Sequence, residues 1–203
     1  MIKNKTKQKH SLMVRQSIFL IIIFFIGSGF IHPTAILKSD LDLVKSNTWQ
    51  IAGPVKENYE IINAIRQKQG VVRVTAKDNP VGEIELNVVI ASSVSNDGVR
   101  TNLSNNSRFV TITYKSTQLI KLQAREADET GTDCIHGGSH ARVDLPASPN
   151  RFKTIKIPWT HFRQDGLKNG KLLNIHNLCK FNFVNYNPVS GALLEIKSVI
   201  VEN

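Results

Sequence analysis

The sequence predicts an all-β fold, an antiparallel β-sandwich or jelly roll built as one domain over residues 36–203. Three observations carry this. From residue 71 onward apolar residues recur with period two, the beat of strands that bury one face. Turn-forming stretches interrupt that beat at fairly regular spacing, with no alternating helices between. The long polar stretches 92–107 and 127–139 suit the open ends of a sandwich better than a closed barrel.

Taken in order, "VVRVTAK" (71–77) is the first legible strand, and "DNPVG" turns the chain into "EIELNVVIA" (83–91). "RFVTITYK" (108–115) and "LIKLQARE" (119–126) flank the turn "STQ". "HARVDLP", "RFKTIKIPW" (151–159), "NLCKFNFVNY" (177–186) and "LLEIKSVIVEN" (193–203) complete eight strands rich in Val, Ile, Thr and Phe. Only "NYEIINAIRQKQ" has helical spacing, through Ile61, Ile62 and Ile65, so the fold holds at most one short helix near 58–69; a poor strand is the other reading. "LKSDLDLVKSNTWQ" is read as the first strand, and Trp49 has no assigned place.

Residues 1–35 read as a targeting segment. Lys3, Lys5, Lys7, Lys9 and Arg15 precede the apolar run "IFLIIIFFIGSGFI" (18–31), with no acid among them. That run is shorter than the ~20 residues a membrane-spanning helix needs, and the pattern is that of a secretory signal. The expected location is secreted or periplasmic; an uncleaved anchor, with the domain outside the cytoplasm, is the alternative and the sole route to a membrane. Without this segment the 26 basic residues fall to 21 against 16 acidic ones, so the net charge drops from +10 to +5. The high pI therefore belongs partly to export and is not a nucleic-acid footprint.

Export permits a disulfide between Cys134 and Cys179. Yet Cys179 alternates with Phe181 and Phe183 in "CKFNF", which suits a buried free thiol equally, and both states stay open. A metal site is disfavoured: there is no C-x-x-C pair, and His136 and His140 in "CIHGGSH" have a helical ligand spacing broken by two glycines. "DETGTD" (128–133) lacks the spacing and closing Glu of an EF-hand loop, so it reads as a solvated loop.

From residue 105 to the end, the order of parts "LQARE … HARVDLPASPNRFKTIKIPWTHF … NLCKFNFVNYNPVSGALLEIKSVIVEN" resembles a known family. It is similar to the galactose-binding-like β-jelly rolls that serve as carbohydrate-binding modules on bacterial glycoside hydrolases, above all the family of the cellulosomal β-glucan binders. A mitochondrial complex I assembly-factor family shares the jelly roll, but its glycine-rich opening is missing here. The resemblance implies a non-catalytic module that holds a polysaccharide or oligosaccharide across a concave sheet. It also implies a structural calcium with ligands that the sequence does not identify; no other cofactor is expected.

Alternation locates the face. In "LIKLQARE" Ile120, Leu122 and Ala124 turn inward, leaving Lys121, Gln123 and Arg125 outward. In "HARVD" the outward set is His140, Arg142 and Asp144, and beyond Cys179, Phe181 and Phe183 it is Lys180, Asn182, Val184 and Tyr186. The candidate ligand-binding residues are Gln123, Arg125, His140, Arg142, Asp144, Asn182 and Tyr186. Arg and Asp suit paired sugar hydroxyls, and an aromatic ring suits the C–H face of a pyranose. Arg142 and Asp144 match in kind and spacing an arginine and an acid on the equivalent strand of the resembled family. The plain counter-reading is a wet sheet face with an Arg142–Asp144 surface ion pair. Tyr114 is a second candidate aromatic, and Trp159 belongs to the core with Ile155 and Ile157.

Glycoside hydrolysis needs two carboxyl groups across a cleft, and Asp144 is the sole acid this reading puts on the face, so no catalytic residue is assigned. The alternative functions are an exported adhesion or assembly protein that uses the jelly roll without sugar, and a polysaccharide lyase built on His140, Arg142 and Tyr186.

Overall fold

Two antiparallel sheets form the described part of the chain, seen in a computed structural model that describes residues 41–46, 49–51, 59–61, 70–76, 83–91 and 98–202. Residues 1–35, expected to be a targeting segment, lie outside the described residues. So does 62–69, the larger part of the expected helix, while Tyr59–Ile61 within it is a short strand. The described helix is instead the single turn α1 (Leu43–Ser46).

The strands in chain order are β1 (Leu41–Asp42), β2 (Trp49–Ile51), β3 (Tyr59–Ile61), β4 (Val72–Ala76), β5 (Ile84–Val89) and β6 (Phe109–Ser116). They continue as β7 (Ile120–Glu126), β8 (Ala141–Leu145), β9 (Ser148–Pro158), β10 (Arg163–Gln164), β11 (Leu178–Asn185) and β12 (Leu193–Val201). The first sheet runs β3-β4-β12-β6-β9, with β1 also paired to β12, and the second runs β10-β8-β7-β11-β5-β2. All eight strands expected from the period-two pattern are present, within a few residues at their ends. The all-β sandwich stands.

Alternation explains the core. Val72 and Val74 on β4, Ile84, Leu86 and Val88 on β5, Val110 and Ile112 on β6, and Ile120 and Leu122 on β7 are buried between the sheets. Phe181 and Phe183 join them from β11, and burying an aromatic or Leu-sized side chain contributes about 1.5–3 kcal/mol. Trp159 stacks on Phe181 with centroids 6.3 Å apart and donates its indole N–H to Ser107 Oγ at 3.0 Å, so it is core as expected. Trp49, unplaced from sequence, packs on Phe183 at 5.7 Å and donates to the Leu43 carbonyl. Tyr114 is not on the outer face of the second sheet. It is sealed in the core on β6 of the first sheet, its hydroxyl donating to the Pro146 carbonyl at 2.7 Å.

The structure joins Cys134 and Cys179 in a disulfide, closing a sequence separation of 45 residues. A register shift between Leu178 and Lys180 leaves Cys179 as an extra residue on β11, a bulge that re-aims its side chain. Cys179 thus leaves the row of Phe181 and Phe183 and forms a small separate cluster with Ala127 and Cys134.

Candidate functional site

The outer face of the second sheet collects polar side chains in rows set by strand register. Asn87 on β5 stands opposite Asn182 on β11, which stands opposite Gln123 on β7, which stands opposite Arg142 on β8. One row over, Glu85 faces Val184, Val184 faces Lys121, and Lys121 faces Asp144. On the other side Lys180 faces Arg125. Each side chain points away from the sandwich because its strand neighbours (Leu86, Leu122, Phe181, Phe183) fill the core.

The seven sequence-derived candidates share this face but not one environment. Arg142 and His140 are half-buried, Asp144 is exposed, and Tyr186 is 39% exposed. Gln123, Arg125 and Asn182, expected to face water, are 6%, 7% and 0% exposed. The wet-face expectation is therefore corrected for these three. Their side chains lie flat and cover one another through hydrogen bonds. Arg125 donates to Glu85 Oε1 at 3.0 Å, to Gln123 Oε1 at 3.1 Å and to the His136 carbonyl. Asn182 donates to the same Glu85 oxygen, and Gln123 Nε2 donates to the Tyr186 hydroxyl at 2.8 Å. Asn87 Oδ1 and Asn182 Oδ1, both buried, have no partner among the described residues.

The Arg142–Asp144 ion pair of the counter-reading does not form among the described residues, because each side chain turns to another partner. Asp144 instead accepts from Lys121 Nζ at 2.7 and 2.9 Å, and Arg142 lies 4.0 Å from Asp165. Burial, and then the Arg125 charge, push the His140 imidazole down to about 4, so it is neutral at pH 7. The same two causes, in the same order, lower Lys180, whose Nζ lies 3.2 Å from His136 Nδ1.

Along the β8–β10 side the face opens into a cleft of about 520 Å³. Its walls include Lys121, Arg142, Asp144, Arg163, Asp165 and Lys168. Asp165, Arg163 and Lys168 belong to β10 and the loop after it. No local pattern in the sequence assigns them to this face, since their position depends on β10 pairing with β8 through Arg163 and Arg142. Glu85 and Asn87 were legible, by contrast: the alternation in "EIELN" puts them outward once β5 joins the same sheet, and Glu85 is a second acid on the face.

In the 128–133 loop the Asp128 carboxylate is engaged by the loop itself. Asp128 accepts from the Thr130 hydroxyl and from the backbone N–H groups of Gly131 and Thr132. The Thr130 bond foremost holds its carboxyl below the usual range. No group of three or more His, Cys, Asp or Glu side chains able to hold a metal ion occurs among the described residues.

The two packed sheets, with polar rows outside one of them, form an antiparallel β-sandwich whose fold is like that of solved carbohydrate-binding modules. The chain is similar to the family 11 carbohydrate-binding module of the cellulosomal cellulase Lic26A-Cel5E of Clostridium thermocellum, with 17% identity, 83% of this chain and 96% of that chain covered, and a TM-score of 0.55. It is similar also to a family 11 module from Clostridium thermocellum in complex with a β-1,3-1,4-mixed-linked tetrasaccharide (16% identity, 83% and 97% covered, TM-score 0.54). A likeness of TM-score 0.50 extends to the agarase AgWH50C, with 7% identity, 82% of this chain and 25% of the agarase covered. At these identities the likeness establishes the fold, and function must come from the site. No protein-family model and no curated protein matches the chain by sequence.

Proposed function

We propose that the chain is an exported, non-catalytic protein that binds a polysaccharide or oligosaccharide on the outer face of its second sheet. The observation that carries this reading is the polar row Asn87, Asn182, Gln123, Arg142, which register lays across four adjacent strands and which ends at an open cleft. The carbohydrate-binding-module fold supports it. So does the disulfide, which suits an oxidising compartment and the secretory reading of residues 1–35.

The residues divide into two roles. His140, Arg142, Asp144 and Tyr186 are accessible and contact sugar hydroxyls and ring faces. Gln123, Arg125 and Asn182 form the bonded floor, Gln123 holding the Tyr186 hydroxyl in place. The test is retarded migration of the protein in native gels cast with soluble β-glucans and other polysaccharides. Arg142→Ala should abolish retardation with little change in melting temperature, because the Arg142 side chain makes no hydrogen bond among the described residues and only approaches Asp165, at 4.0 Å. Retardation that survives this change places the ligand elsewhere.

The burial of Gln123, Arg125 and Asn182 favours a second reading, an adhesion or assembly protein that keeps the sandwich without sugar binding. Absence of retardation by every polymer would select it. The same mixtures should release no unsaturated sugars by absorbance; their appearance would replace binding with lyase chemistry.

A further inference from the structure

Charge in the β8–β10 cleft is unbalanced. Four cationic side chains line it, Lys121, Arg142, Arg163 and Lys168, against two carboxylates, Asp144 and Asp165. Asp144 is taken by Lys121 at 2.7 Å. Asp165 approaches Arg142 only to 4.0 Å, outside hydrogen-bond range. Arg163, which lines the cleft, gives one N–H to the Gly170 carbonyl at 3.1 Å, and its guanidinium has further donors. Lys168 is exposed and has no ion-pair partner among the described residues. Two positive charges thus stand in excess in a concave, partly desolvated space, where field lines concentrate.

The far wall is fixed by the fold. Asp165 and Gly166 both adopt left-handed backbone, φ 55° and 68°. The Asp165 N–H donates to the His140 carbonyl at 3.0 Å, Gly166 to Arg163 at 2.8 Å and Leu167 to Gln164 at 3.1 Å. A Cβ at Gly166 would lie 3.5 Å from Arg142 Cγ, ordinary van der Waals contact, so glycine is favoured here by its positive φ and not by lack of space. The backbone that carries Arg163 and Asp165 is set by these bonds before any ligand arrives, which lowers part of the ordering cost of binding. Neutral sugars need hydroxyl partners and no net charge; a surplus of guanidinium and ammonium donors suits an oxyanion.

We propose that the cleft takes the carboxylate or sulfate ester of an acidic polysaccharide, a deepening that rests on the sugar-binding reading above. The protein, disulfide intact, is titrated calorimetrically with three oligosaccharides: oligogalacturonate, sulfated oligocarrageenan and a neutral mixed-linked oligoglucan. At about 50 mM salt one or both acidic ligands should bind at least ~10-fold more tightly than the neutral one, and lose about 5-fold or more at roughly 300 mM. The acid that binds identifies the head group. Lys168→Glu should weaken acidic binding about 10-fold, while Lys153→Glu, on β9 of the other sheet, should leave it unchanged. Equal losses from the two variants would reduce the effect to general attraction by a basic protein and overturn the proposal. Neutral oligoglucan binding as tightly as either acid would also overturn it and leave the sugar-binding reading intact. No binding by any of the three overturns both.

Discussion

Arg125 is a cation with almost no access to water, and the fold tolerates it because three acceptors meet its fork. Glu85 is the charged one among them, and it also receives Asn182. Removing one partner of a buried pair strands the other charge, so Glu85→Ala should lower unfolding free energy by about 3 kcal/mol in urea titration. Glu85→Gln, which keeps an acceptor, should cost clearly less; equal losses would mean the carboxylate is not what holds Arg125. His140 gives a pH test. Its folded-state value near 4 lies below the ordinary 6.5, so the unfolded chain binds the proton more readily between these values. Stability contributed by neutral His140 is therefore fully present above pH 6.5 and is lost as pH falls towards 4. The melting temperature of His140→Gln should decline less steeply across that window than that of the parent. Parallel declines would contradict the burial of this imidazole. Period-two reading found the direction in which these side chains point but not their depth, because depth depends on neighbours lying flat across three strands.

At the scale of elements, the disulfide, the β11 bulge and Gly98 form one joint. Gly98 has a φ of 84°, and a Cβ there would lie 2.6 Å from Cys134 Sγ and 2.9 Å from Cys179 Sγ. Gly98→Ala should therefore be destabilising by more than ~1 kcal/mol, from backbone strain and overpacking together. Reduction of Cys134–Cys179 should cost about 4 kcal/mol in the chain-entropy model for a loop of this length. A urea midpoint unmoved by reductant would show that the neighbouring loops already fix the joint. The sequence left thiol and disulfide open because alternation put Cys179 in line with Phe181. The bulge that takes it out of that line is a pairing event with β7, invisible along one strand. The eight long strands were legible because each carries several beats of the pattern. β1, β2, β3 and β10, two or three residues each, carry none, and their existence is decided by the partners they pair with.

For the whole molecule, the sandwich followed from composition and period, whereas the candidate site was legible only in part. Outward residues of β7, β8 and β11 were found in advance. Glu85 and Asn87 needed the knowledge that β5 borders β11, and the cleft needed the β10 loop to fold back on Arg142. Sheet order, a long-range property, was the missing link. The central claim is that ligand sits on the outer face of the second sheet. Backbone amide NMR of the isotope-labelled protein, titrated with the polysaccharide fragment that binds best, tests it most directly. The account predicts shifts concentrated at 140–144, 163–168 and Tyr186, with β4, β9 and the outer face of the first sheet silent. Shifts gathered on the first sheet, or spread evenly over both, would contradict it.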